Sequence, residues 1–225
     1  MKEQKLVLSF ILYPFAFIVC IRWAFFNSLL LAFLYLLGTS SFAAANPFDD
    51  ASAAYERGDY VQGIKLFHQL AAQGHQWAQR RLGLIYAEGK GVPQDHQEAV
   101  KWYRPAAEQG YAPAQYSLGV AYERAQGVPQ NYREAVKWYR RAAAQGNELA
   151  QVNLGVMYTK GRGVGQDFVR AHMWFNLAAT ASTGNSRDTA TENRDRIASK
   201  MTAEQTGTAQ EMARRCQESK LKNCD

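Results

Sequence analysis

Ala78-Gln79-Arg80-Arg81-Leu82-Gly83-Leu84-Ile85-Tyr86 decides the fold, because it returns twice in register. Ala114-Gln115-Tyr116-Ser117-Leu118-Gly119-Val120-Ala121-Tyr122 is the second copy. Ala150-Gln151-Val152-Asn153-Leu154-Gly155-Val156-Met157-Tyr158 is the third. The step is 36 residues, and Trp102, Trp138 and Trp174 keep it too. Twelve of the 36 columns are identical in all three copies, without a gap. A period of about 20–50 residues marks a stacked array whose units cannot bury their apolar faces alone.

Within one repeat, Ala78, Leu82, Gly83 and Tyr86 fall on one face at helical spacing and define a first helix, A. Gly83 lets a neighbouring helix come close, and Gly89 supplies the stop. After the loop Gly91-Val92-Pro93-Gln94, Asp95 caps a second helix, B, with Glu98 three residues on as a capping box. Asn131 and Glu134 repeat that device. Asp167 keeps the cap without the box, since Arg170 stands in the acid's place. Helix B runs from His96 to Gln109 and buries Ala99, Trp102, Ala106 and Ala107. Pro105 inside it predicts a local kink, because proline removes a backbone hydrogen bond and crowds the carbonyl four residues back.

The repeats extend outward in both directions. Residues 46–75 read as a degenerate first repeat, with Tyr55 in the role of Tyr86, and residues 76–185 hold three full repeats. Residues 186–225 read as two capping helices, 187–199 and 202–217, and a tail. Ile197, Met201, Ala209, Met212 and Ala213 are placed to cover the open end of the stack, which a terminal unit must do to keep apolar surface from water.

Residues 1–45 differ in kind. Two apolar runs, 6–21 and 29–37, precede an Ala-rich stretch ending at Ala45, the pattern of a secretory signal peptide. The alternative is an uncleaved membrane anchor, although a run of about 16 residues is slightly short of a span. The expected location is periplasmic or secreted, or anchored in the inner membrane if the segment is retained. Cys20 lies in this segment, while Cys216 and Cys224 form a pair at the other end. In an oxidising compartment that pair closes, provided the last helix ends near Lys220 and the tail folds back. The formal net charge is +6, with both signs interspersed and no basic run. Nucleic acid is therefore not expected as a partner.

The string Ala-x-x-x-Leu-Gly-x-x-Tyr, Gly-x-Gly-Val, Asp-x-x-x-Ala-x-x-Trp, Ala-Ala-x-x-Gly resembles the Sel-one-like repeat, a relative of the tetratricopeptide repeat. In the first full copy it runs from Ala78 through Gly89-Lys90-Gly91-Val92 and Asp95 to Gly110. Ala125 for Gly, Gly165 for Pro and Ser182 for Gly depart from it. The resemblance implies an all-α fold, a right-handed α-solenoid of stacked antiparallel helix pairs with a C-terminal helical cap. Its A helices would line a concave groove, and members act mainly as scaffolds that bind proteins. Some secreted bacterial members have been linked to β-lactam hydrolysis.

If the A helices line a groove, the positions between the packing columns face it. These are Arg80, Arg81, Leu84 and Glu88, then Tyr116, Ser117, Val120, Glu123 and Arg124, then Val152, Asn153, Val156, Thr159 and Lys160. Arginine, tyrosine and aliphatic residues in one row suit a protein or peptide ligand. Catalysis leaves no comparable mark. His68, His75, His96 and His172 lack metal-ligand spacing, and the one Ser-x-x-Lys, Ser219 to Lys222, lies in the polar tail. The expected function is an exported interaction scaffold without cofactor or metal. A hydrolase acting on β-lactams or cell-wall peptides and a membrane-anchored envelope regulator are the alternatives.

Overall fold

The repeat period becomes ten helices among the described residues, with no strand. A computed structural model describes residues 46–222 and 224, except 182, and the backbone alone at 185. The segment 1–45 expected to be a signal peptide or anchor, Cys20 with it, and the departure at Ser182 lie outside the described residues. A short first pair, α1 (Pro47–Glu56) and α2 (Tyr60–Ala72), precedes three full pairs. These are α3 (Gln76–Glu88) with α4 (His96–Glu108), α5 (Ala112–Arg124) with α6 (Tyr132–Ala143), and α7 (Glu148–Lys160) with α8 (Phe168–Ala181). Two last helices, α9 (Asn185–Ala198) and α10 (Ala203–Glu218), pack on α8. From α1 to α9 each helix packs most closely on a neighbour in sequence, so the chain stacks in consecutive pairs, while α10 passes over α9 to reach α8.

Helix ends follow the expected chemistry with one correction. Asp95 Oδ1 accepts from the backbone N–H groups of Gln97 and Glu98, and Asn131 Oδ1 accepts from Glu134. The reciprocal half of the capping box is absent at both sites. The Asp95 N–H donates instead to the Tyr86 carbonyl at 2.8 Å, and the Asn131 N–H to the Tyr122 carbonyl at 3.0 Å. The glutamates, left without that donor, pair with Lys101 and Lys137. Asp167 donates likewise to the Tyr158 carbonyl, and its carboxylate pairs with Arg170 at 2.8 Å. The tyrosine column thus ties the end of helix A to the start of helix B through its backbone. Pro105 lies inside α4, which continues to Glu108.

The invariant glycines admit aromatic rings. A Cβ built on Gly83 would lie 2.3 Å from the Tyr103 ring. One on Gly119 would lie 2.6 Å from Tyr139, and one on Gly155 2.5 Å from Phe175. The close approach of A and B helices is therefore a ring from B laid on bare backbone of A. The loop glycines Gly127 and Gly163 do the same between repeats. A Cβ there would lie 2.0 Å from the His96 carbonyl oxygen and 2.3 Å from that of Tyr132. Among the tryptophans, Trp138 and Trp174 are buried, whereas Trp102 is half-buried against α2, its ring 5.2 Å from that of His68.

The far end closes as the sequence suggests. Ile197, Ala209 and Ala213 are buried, and Met201 and Met212 pack against the same core. Thr202 and Gln205 make a complete capping box at the start of α10. Beyond Glu218 the backbone takes positive φ at Lys220 and Leu221, which turns the tail back. Cys216 and Cys224 are joined, their Cα atoms 4.7 Å apart.

Candidate functional site

The proposed row of ligand-facing positions is split by the structure into two gaps between successive A helices and the face beyond α7. Between α3 and α5 lies a cleft of about 210 Å³. Arg80 and Leu84 of α3 line it, opposite Tyr116, Ser117, Val120 and Arg124 of α5, with Tyr103 of α4 between them. Arg80 Nε is buried there without a hydrogen-bond partner. Burial raises the Tyr103 hydroxyl above its ordinary pKa, with Arg80 pulling it down and Glu88 pushing it up. Ser117 contributes little polarity, because its hydroxyl donates to the Pro113 carbonyl at 2.9 Å.

Arg81 lies outside this cleft. Its guanidinium sits over the Tyr55 ring, 5.1 Å from the centroid, and braces α3 against the first pair. Glu88 is exposed at the end of α3.

The second gap, between α5 and α7, is occupied by the chain itself. The Tyr139 hydroxyl donates to Glu123 Oε2 at 2.6 Å. The Tyr116 ring lies 5.9 Å from that of Tyr139, and Asn153 faces both hydroxyls. Burial first, and then the Glu123 carboxylate, raise the Tyr139 hydroxyl far above its ordinary pKa. Beyond α7 the pattern turns apolar. Phe175 replaces the tyrosine, Val152 and Val156 pack on the last core, and the Thr159 hydroxyl donates to the Gly155 carbonyl. Lys160 is exposed.

A wider cavity of about 480 Å³ opens beside Gly165, but its charged groups already hold one another. Arg140 donates to the Tyr158 hydroxyl at 2.6 Å, and Arg170 pairs with Asp167. The Ser219 hydroxyl donates to the Cys216 carbonyl, so it serves the end of α10. Among the described residues no group of three or more His, Cys, Asp or Glu is placed to hold a metal ion.

Four matches to the Sel1 repeat model cover residues 52–75, 78–111, 112–147 and 149–182, more than half of the chain. The chain belongs to the Sel1 repeat family. Sel1 repeat proteins generally serve as scaffolds for protein–protein interaction. The structure is similar to that of a Sel1 repeat protein from Oxalobacter formigenes, at 28% identity and a TM-score of 0.58, covering 78% of each chain. It is also similar to c5321, a protective antigen present in uropathogenic Escherichia coli strains and displaying an SLR fold. There the identity is 30% and the TM-score 0.53, over 73% of this chain and 42% of that one. No curated protein matches the chain.

The repeat pattern marks Tyr103 only as an apolar slot, and leaves Tyr139 and the variable buried column Ile85, Ala121 and Met157 unmarked. The tyrosines follow the invariant tryptophans directly, so a helical wheel centred on Trp turns them away from the core. The signal that finds them is the invariant glycine opposite, which requires a flat partner.

Proposed function

We propose that this Sel1 repeat protein is an exported scaffold that holds a protein or peptide against its A helices, chiefly between α3 and α5. The observation carrying this reading is the cleft itself. It gathers Arg80, Arg124, Tyr103, Tyr116, Leu84 and Val120 from separate repeats around one opening. Mixed aromatic, aliphatic and arginine linings are those that anchor polypeptides. Export is supported by the Cys216–Cys224 bridge, since such bonds persist in oxidising compartments. It is supported further by the signal-like residues 1–45.

The test is capture of the native partner from the envelope by the wild-type chain and by the double variant R80E/R124E. Arg81 is left unchanged because it stacks on Tyr55. The expected outcome is loss of capture with a melting temperature close to wild type. Undiminished capture by the folded variant rejects the cleft.

A further inference from the structure

The three repeats use one set of columns to fill the gap beside helix B, and one of the three is left incomplete. The hydroxyl-bearing Tyr139 is matched by the carboxylate of Glu123. One repeat later Phe175 has no hydroxyl, and the residue in the carboxylate column is Thr159, which bonds its own backbone. One repeat earlier Tyr103 has the hydroxyl, but Ala87 stands where the carboxylate would be. Ser117 replaces Asn153, and Arg80 replaces Tyr116. The shorter Ala87 and Ser117 leave the cleft of about 210 Å³, and Ala87, Ser117, Arg80 and Tyr103 all line it.

We propose that this cleft takes the side-chain carboxylate of a glutamate from a bound polypeptide, in the place Glu123 fills in the next repeat. The inference rests on the scaffold reading and names the chemistry of what it binds. Charge supports it, because Arg80 and Arg124 both line the opening and no acidic side chain does. Glu88, the nearest acid acting on Tyr103, is exposed outside the lining. Arg80 Nε is a buried donor without an acceptor, and a carboxylate beside it supplies one. The shape selects a side chain over an isolated anion. Leu84, Val120 and the Tyr116 ring face the methylenes that carry a glutamate carboxylate, while the Tyr103 hydroxyl waits at the carboxylate end.

The experiment is methyl NMR on the full chain in detergent micelles, labelled at Leu and Val. The probes are the capped tripeptide acetyl-Leu-Glu-Leu-amide, its Gln counterpart, and acetyl-Leu-Gln-Leu with a free carboxyl terminus. The expected result is shifts centred on Leu84 and Val120, with the Glu peptide bound at least tenfold more tightly than the amidated Gln peptide. The double variant A87E/S117N rebuilds the Glu123 arrangement inside the cleft. It should keep or raise the melting temperature and lose the peptide. Tyr103→Phe, which removes a single oxygen, should weaken binding about tenfold and decides the matter if the double variant does not fold.

Equal affinity for Glu and Gln, no shift at Leu84 and Val120, or full binding by A87E/S117N or Y103F overturns the proposal. So does binding of the free-terminus peptide in preference to the amidated Glu peptide, which would make this a site for a chain end. A native partner still captured by A87E/S117N but lost by R80E/R124E would end this proposal and leave the scaffold reading standing.

Discussion

His172 stands in the column that holds Val100 and Val136, and it is 3% exposed. Its Nδ1 is buried without a hydrogen-bond partner. Burial is the main force holding its pKa below the ordinary 6.5, with Arg194 acting in the same direction and Asp195 against it. A base whose folded pKa is depressed stabilises the fold only while it is neutral. The unfolded chain takes up the proton first as pH falls through about 6.5, so stability is complete above that value and is lost below it. We predict that the melting temperature of wild type falls between pH 8 and pH 5 by more than that of H172V. The variant should also be at least as stable at pH 8, since it removes an unpartnered buried nitrogen. Equal pH dependence in calorimetry would show that His172 is not the sensor. The sequence displayed this histidine plainly and gave no sign of its burden, because burial in a solenoid depends on the neighbouring unit. The same limit explains the site. Arg80, Leu84, Tyr116 and Val120 were readable as one row from their place between packing columns, and all four line the α3–α5 cleft. That Arg81 turns onto Tyr55, and that Glu123 is spent on Tyr139, required knowledge of which rings fill the gaps.

At the scale of the helix, the invariant glutamines form a ladder. Gln79, Gln115 and Gln151 are buried, and each donates its side-chain N–H to the carbonyl of Ala71, Ala107 or Ala143 at the end of the preceding B helix. Each of these carbonyls also accepts from the backbone N–H of the closing glycine, Gly74, Gly110 or Gly146, so the glutamine fills the second acceptor position of the helix end. The side-chain oxygens of Gln79 and Gln115 accept in turn from Gln109 and Gln145, at 2.9 and 2.8 Å. The third rung is broken. Ala181 occupies the corresponding place, and Gln151 Oε1 is buried with no partner beside a cavity of about 280 Å³. Ala181→Gln should complete the rung and add about 1 kcal/mol, the usual net worth of a hydrogen bond. That corresponds to about 2–4 °C in a domain of this size. The same substitution in a Gln151→Leu background should add nothing, and a double-mutant cycle by thermal melts separates the two. The helix boundaries, the A/B pairing and the cap were all readable from the repeat period and its apolar columns. The ladder was visible only as identity, since a glutamine's partner lies on another helix and leaves no local periodicity.

Across the whole molecule, a solenoid is held by nearest neighbours, so damage at one end should stay there. The first three pairs share aromatic and alanine cores, while the last pair depends on α9 and α10 to exclude water. Cys216 is fully buried in that final core with Ile197 and Ala213, and the bridge to Cys224 pins the returning tail against it. Leu221 packs on the same core, and its N–H donates to the Cys216 carbonyl, although its backbone φ is +63°. Left-handed backbone costs a non-glycine residue about 1–2 kcal/mol, which the packing of Leu221, its hydrogen bond and the bridge offset together. Closing a loop of this length stabilises by roughly 2–3 kcal/mol in the chain-entropy picture. Cys224→Ser leaves the buried Cys216 in place and tests that bond alone. Hydrogen exchange should accelerate in α10, in α9 and to a smaller degree in α8, with α3, α4 and α5 unchanged and the α3–α5 cleft intact. The disulfide would then act as a local clasp on the cap, reducible without loss of the α3–α5 cleft. A uniform acceleration through α1 to α10 would show instead that the four pairs melt as a single cooperative unit, and that the cap sets the stability of every repeat beneath it.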